Sequence, residues 1–214
     1  EKSSDLKIYS VPFSLSEIKG NINISTNNYG DEIIAKAFKA HSNGELVEAA
    51  KYYKSYLDAG FTDSVALSNY GIILKVMGKI KEAEKMHRKA IELNPSFAKG
   101  FYNLANTLKE IGNLREAEIC LRKAIDLKID FAEAYSNLSI ILLDLDKFKE
   151  AEYYIGKLIE YNPGYGQAYS NRGIILTALD KLKEAELSHY KAIELDPNFA
   201  DFHYNLANTL FKSA

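Results

Sequence analysis

Four short segments of this chain, KIKEAE (79–84), NLREAE (113–118), KFKEAE (147–152) and KLKEAE (181–186), begin 34 residues apart. An octet also recurs, FYNLANTL at 101–108 and HYNLANTL at 203–210, three such periods apart. A fixed period of this length implies a stacked array, because one unit of about 34 residues cannot bury its own apolar face. Small residues keep the same register. Ala49, Ala83, Ala117, Ala151 and Ala185 form one series, and Gly71, Ala105, Ser139, Gly173 and Ala207 form another. Pro95, Pro163 and Pro197 fall on the same frame. It divides the chain into units 30–63, 64–97, 98–131, 132–165 and 166–199, with a half-unit at 200–214 and residues 1–29 outside the repeat.

Inside a unit the apolar spacing is helical. Phe101, Leu104, Ala105 and Leu108 recur at i, i+3, i+4 and i+7, the mark of one buried stripe. After Gly112 a second stripe runs through Leu114, Ala117, Leu121, Ala124 and Ile125. Each unit therefore reads as two helices and a turn. Gly44, Gly78 and Gly112 suit the left-handed end of a first helix, whereas Asp146 and Asp180 stand there later without an evident reason. Glu48, Glu82, Glu116, Glu150 and Glu184 fall in the first turn of each second helix, where a carboxylate complements the helix dipole. Asn94-Pro95, Asn162-Pro163 and Asp196-Pro197 stop those helices, and the same pairs are expected to cap the helix that follows. The small-residue series mark where two helices approach closely.

Several function classes lose support from composition. Net charge is −2, from 27 basic and 29 acidic residues that are intermixed, so no basic face calls for nucleic acid or an anionic membrane. The single Cys120 excludes an internal disulfide and a multi-cysteine metal site. No apolar run is long enough to span a bilayer. His87 and His189 occupy equivalent positions of second helices and are expected to pack at the edge of the core. With His41 and His203 they form no metal-ligand spacing. The lysines of the KIKEAE-type turns are expected to be solvated, with at most local i,i+4 pairing. A soluble, cytoplasmic protein without metal or cofactor is the expectation.

The pattern of aromatic or Leu, Leu, small, Leu, then Ala, Ala and Pro resembles the tetratricopeptide repeat, shown in 98–131 by Phe101, Leu104, Ala105, Leu108, Gly112, Ala117, Leu121 and Ala124. The resemblance covers about residues 30–214. It implies an all-α fold, a right-handed superhelical solenoid of antiparallel helix pairs, with first helices lining a concave groove that binds peptides or protein surfaces. The first unit departs from the pattern, with Tyr56 at a small position and Phe61 at the proline position, so looser packing is expected around it. Leu158 replaces an Ala and Ile129 a Pro.

One position of the first helix carries Asn69, Asn103, Asn137, Asn171 and Asn205. A carboxamide both donates and accepts, so a row of them can hold the backbone of an extended peptide without reading its side chains. The arrangement is similar to the asparagine ladder of O-linked N-acetylglucosamine transferase. An equally weighted reading is that each Asn simply bonds a neighbouring helix. Flanking candidates on the same face are Lys75, Lys109, Tyr102, Tyr204 and Asn106, with Glu110, Asp144 and Asn208 beside them and Ile72, Ile140 and Ile174 between. This mixed lining does not resemble the cationic clamp that holds a terminal carboxylate in chaperone-binding members.

The ends differ from the array. Residues 1–29 alternate apolar and polar in part, as a flexible leader or an arm packed on the array would. Residues 200–214 match a first helix with no second, and Leu206, Ala207, Leu210 and Phe211 form a stripe that awaits a partner. The expected function is a non-catalytic scaffold for a protein or extended peptide. The alternatives are the substrate-recruiting module of a transferase or oxygenase whose catalytic domain lies beyond residue 214, and a self-assembly module using the open C-terminal end.

Overall fold

The computed structural model describes residues 28–213, and every regular element among them is an α-helix. The helices are α1 Asn28–Ser42, α2 Leu46–Asp58, α3 Ser64–Val76, α4 Ile80–Leu93, α5 Ala98–Ile111, α6 Leu114–Leu127, α7 Ala132–Asp144, α8 Phe148–Tyr161, α9 Gly166–Ala178, α10 Leu182–Leu195 and α11 Ala200–Ser213. From α3 on, first helices begin at 64, 98, 132, 166 and 200, and second helices begin at 46, 80, 114, 148 and 182. The helices thus keep the 34-residue spacing of the sequence. α1 begins at Asn28, two residues ahead of the expected start of the first unit. The remaining residues of the leader, 1–27, lie outside the described residues.

Two compact units divide the chain within α5, one ending at Thr107 and the other beginning at Leu108. In the first, α1 packs on α2, α2 on α3 and α3 on α4. In the second, α7 packs on α8 and α9 on α10, while α7, α9 and α11 also touch in succession. Small residues allow these approaches: Ala49 and Ala83 in the first unit, and Ala117, Ala151 and Ala185 in the second, have no exposed surface. Leu121, Leu138, Ile141, Ile155 and Leu176 are buried around them in the second unit. Each such side chain contributes roughly 1.5–3 kcal/mol by leaving water. Leu158 is fully buried in place of the usual Ala, and Ile129, in place of Pro, is exposed.

The turns explain the two aspartates. Gly112 has φ 89° and closes α5 with Gly112 N–H to Lys109 O at 3.0 Å and Asn113 N–H to Leu108 O at 2.9 Å. That pair of bonds satisfies two carbonyls the helix end leaves open. Asp146 (φ 58°) and Asp180 (φ 59°) adopt the same left-handed conformation and make the equivalent bonds. Aspartate tolerates this region better than most residues, which is why it can replace glycine there.

Three expectations change. The Asx-Pro pairs do not cap the next helix. Asn94 Oδ1 accepts from Ser96 N–H at 3.1 Å and Asp196 Oδ1 from Asn198 N–H at 3.3 Å, so each side chain closes a local turn before the helix starts. The turn lysines are not merely solvated. Lys147 Nζ reaches Glu118 at 2.8 Å and Lys181 Nζ reaches Glu152 at 3.0 Å, each 29 positions back on the preceding second helix. Arg122 joins Glu118 to Glu150 and donates to the Tyr154 hydroxyl at 2.6 Å. Burial alone would raise the Glu118 carboxyl, but Lys147 and Arg122 outweigh it and hold the group below its ordinary value. The histidines, finally, lie in the core and not at its edge: His87 and His189 are buried against Gly71 and Gly173.

Around the first unit, Tyr56 and Phe61 stack with centroids 5.1 Å apart, and Phe61 closes on Gly30. The two aromatics fill the space a smaller pair would leave. A crevice of about 710 Å³ lies between α2, α3 and α4.

Candidate functional site

The asparagine row sits where successive first helices meet. In the first unit, Asn103 Nδ2 donates to Ser68 Oγ at 2.9 Å, from α5 to α3. In the second, Asn171 Nδ2 donates to Ser136 Oγ and Asn205 Nδ2 to Ser170 Oγ, both at 3.0 Å. All three bonds span 35 positions, one more than the period, so each amide reaches the residue just before the preceding asparagine. Asn69, Asn103, Asn137 and Asn171 are buried and Asn205 is half-buried. At three of the five positions the donor side of the carboxamide is therefore engaged between neighbouring helices. Thr107 and Thr209 reinforce the row by donating to the backbone carbonyls of Asn103 and Asn205.

Asn69 differs. Thirty-five positions before it stands Ile34, a buried apolar residue with no hydroxyl to offer. Its carboxamide is fully buried and makes no hydrogen bond of ordinary geometry. Burial raises the phenol of Tyr53, and the approach of Asn69 offsets part of that rise.

The flanking candidates separate by exposure. Tyr102 is buried, Asn106 and Lys75 are half-buried, and Lys109 and Tyr204 are exposed. One position along the helix face from the asparagines, the second unit presents Ile140 and Ile174 half-buried and Asn208 exposed, whereas Ile72 of the first unit is buried. Asp144 borders this strip in the second unit. Burial raises its carboxyl, and the charge of Lys109 offsets part of that effect. Ser68, Ser136 and Ser170 keep the same 34-residue period one position before the asparagines, but Tyr102 and Tyr204 interrupt their series, and the period alone does not show that the two rows are bonded. Their signal is the Ser-Asn pair of one unit read against the asparagine of the next, at a spacing of 35.

Among the described residues no cluster of His, Cys, Asp and Glu could hold a metal ion, and no helix is long and apolar enough to cross a membrane. Cys120 is buried. What the geometry defines is an all-α repeat solenoid whose first helices are held side by side by side-chain hydrogen bonds.

Three family models, each described as tetratricopeptide repeat, match residues 65–97, 137–198, and 88–119 with 190–214, together more than half of the chain. The chain belongs to the tetratricopeptide repeat family. No curated protein matches the sequence. Solved structures share the fold. A tetratricopeptide repeat protein from Parabacteroides merdae has TM-score 0.78 at 20% identity, over 86% of this chain and 73% of that one. MamA from Desulfovibrio magneticus has TM-score 0.75 at 19% identity, over 82% and 99%. YrrB, described as a TPR protein with an unusual peptide-binding site, has TM-score 0.71 at 24% identity, over 83% and 92%.

Proposed function

We propose that this chain is a protein-interaction scaffold, without catalysis of its own, that holds an extended peptide or a protein surface on the face of its first helices across the array 30–214. The observation that carries the reading is the division of labour within that face. The asparagine–serine bonds fix neighbouring helices, and the adjoining strip in the second unit, Ile140, Ile174 and Asn208, stays open beside Lys109 and Tyr204. A ligand would bury the two isoleucines, and Tyr204 and Asn208 would supply selectivity through a ring face and a carboxamide. The asparagines then contribute chiefly by positioning, with any free carbonyl oxygens as acceptors for a peptide N–H. The peptide-binding site described for YrrB supports this class of function. A second reading rests on α11, where Leu210 and Phe211 are exposed: association between copies of the chain.

Site-directed photocrosslinking tests the first reading. A photoreactive residue at Ile174 should capture a partner protein from an extract, and one at Lys183 on α10 should not. Equal capture from both positions would remove the assignment to the first helices.

A further inference from the structure

Acidic residues border the open strip of the second unit at both ends of its helices. Residues four before, three after and seven after a given position share its face of a helix. Counted from Asn137 on α7, these are Glu133, Ile140 and Asp144. Glu133 stands in the opening turn and Asp144 closes the helix, with the half-buried Ile140 between them. On α9 Gln167 precedes Ile174 on this face, and on α11 Asp201 precedes Asn208. Glu133, Asp144 and Asp201 are exposed, and none has an ion-pair partner among the described residues.

The cations of the same face do not balance these acids. Lys212, seven positions after Asn205, donates to Thr177 O at 2.8 Å and pairs with Asp180 at 3.7 Å. Lys109 is exposed near the end of α5, with Glu110 next to it in the chain. Desolvation raises the Asp144 carboxyl, and the charge of Lys109 offsets only part of that rise. A further cation, brought by a ligand, would be stabilised beside it.

Helix electrostatics account for only part of this pattern. Glu133 and Asp201 lie in first turns, where a carboxylate complements the helix dipole. Asp144 is the last residue of α7, where a carboxylate opposes it. The repeat itself does not call for acids either. In the first unit, Val65 and Val76 hold on α3 the positions of Glu133 and Asp144, and Lys99 on α5 holds that of Glu133.

We propose that the first-helix face of the second unit selects a basic, partly apolar segment of a partner protein in extended form, with apolar side chains on Ile140 and Ile174 and Lys or Arg side chains on Glu133, Asp144 and Asp201. The inference rests on the assignment of binding to that face and names the class of peptide it takes. Spacing agrees with it. A polyproline-type extended chain has three residues per turn and a rise of about 3.1 Å, so residues three apart point the same way about 9 Å apart. Packed helices stand about 8–10 Å apart. One cation and one apolar residue in every three positions would therefore meet α7, α9 and α11 in turn.

A fluorescein-labelled nonapeptide, Gly-Lys-Leu-Ser-Lys-Leu-Ser-Lys-Gly, tests the proposal by fluorescence anisotropy with the full chain at low ionic strength. Saturable binding is expected, weakened about tenfold or more by Glu133→Gln with Asp144→Asn and Asp201→Asn. Removing as many charges from second helices, by Glu92→Gln with Asp126→Asn and Glu184→Gln, should leave it unchanged, which separates a local contact from the charge of the whole chain. All six residues are exposed, and circular dichroism verifies that both variants keep the fold. Ile174→Ser should weaken binding as well, and so should serine in place of the three peptide lysines. A serine peptide that binds as tightly, with Ile174→Ser still weakening it, would overturn the basic selection and leave the first-helix assignment standing. Binding that neither Ile174→Ser nor the triple variant weakens would remove both. Absence of saturable binding, or equal loss with the second-helix variant, would also overturn the proposal.

Discussion

The imidazole of His87 occupies the space that a β-carbon on Gly71 would need: a methyl group there would stand 2.6 Å from the ring. His189 and Gly173 repeat the relationship at 2.4 Å. At the same two positions the intervening units carry Ala105 with Leu121 and Ser139 with Ile155. A flat, wide ring is matched with no side chain, and a branched aliphatic one with a small side chain. In these four units the two positions are matched in shape; the first repeat pairs Ala37 with Tyr53 instead.

Gly71→Ala alone should therefore overpack the core and lower stability by about 1–3 kcal/mol. Gly71→Ala with His87→Leu recreates the Ala105–Leu121 pair and should recover most of that loss. Thermal melts of the two single variants and the double variant measure the coupling. Additive effects would show that the two positions do not share one space.

Burial disfavours the charged imidazole, so His87 is held down to about 3, with a smaller push from the charge of Lys75, and His189 is held down to about 4. Both groups start from an ordinary value of 6.5, and the unfolded chain therefore binds more protons than the folded one below that pH. Their stabilising contribution is complete above pH 6.5 and is lost as pH falls towards 3–4. Urea titrations across this range should show a steep acid loss. Gly71→Ala/His87→Leu together with Gly173→Ala/His189→Leu should flatten the upper part of it, above the carboxylate range.

Much of the fold was legible because its determinants repeat. A single proline or alanine says little, but five alanines in one register locate a helix contact, and all five are fully buried. What could not be read were relations that cross the register. The Ser68–Asn103 bond joins different positions of different units, so a search at the period finds each row by itself and not the bond between them. Lys147 likewise looks solvated until the preceding second helix is placed beside it with Glu118. The Asx-Pro pairs carried the right residues for a cap, but proline and the turn residues after it set the helix back to Ala98 and Ala200, beyond the side chain's reach.

Asp146, like Asp180, carries a cost that the units with Gly44, Gly78 and Gly112 avoid. A left-handed conformation costs an ordinary L-residue roughly 1–2 kcal/mol, and aspartate less. Asp146→Gly should therefore stabilise the chain by about 0.5–1 kcal/mol and raise its melting temperature. Asp146→Ala keeps the β-carbon and removes the polar group, and it should not stabilise. Equal melts for parent and Asp146→Gly would mean that the aspartate side chain compensates fully.

Phe211 is 88% exposed and Leu210 39%, on a helix whose Leu206 is buried. Covering apolar surface is favourable by about 25 cal/mol per Å², so this edge of α11 favours contact between copies of the chain. Sedimentation velocity should show concentration-dependent association that Leu210→Lys with Phe211→Glu reduces. A strictly monomeric parent at high concentration would exclude it.

The asparagine row allows an internal comparison. Asn103 and Asn69 occupy one helix position, but only Asn103 meets a serine, and Ile34 stands thirty-five positions before Asn69. A net side-chain hydrogen bond contributes about 0.5–1.5 kcal/mol, and removing one partner also strands the other in the core at about 1–3 kcal/mol. Asn103→Ala should therefore cost more than Asn69→Ala, which breaks no ordinary hydrogen bond and relieves a buried carboxamide of its lack of a partner. Ser68→Ala combined with Asn103→Ala should cost less than the sum of the two single changes, because the second change removes a group already unpaired. Placing a serine at Ile34 would extend the row by one member at the expense of a buried side chain, so it should lower stability but make Asn69→Ala more costly than before. Melts and urea curves for this set resolve the differences. If Asn69→Ala and Asn103→Ala prove equal, the hydroxyls are bystanders, and the row is held by shape alone.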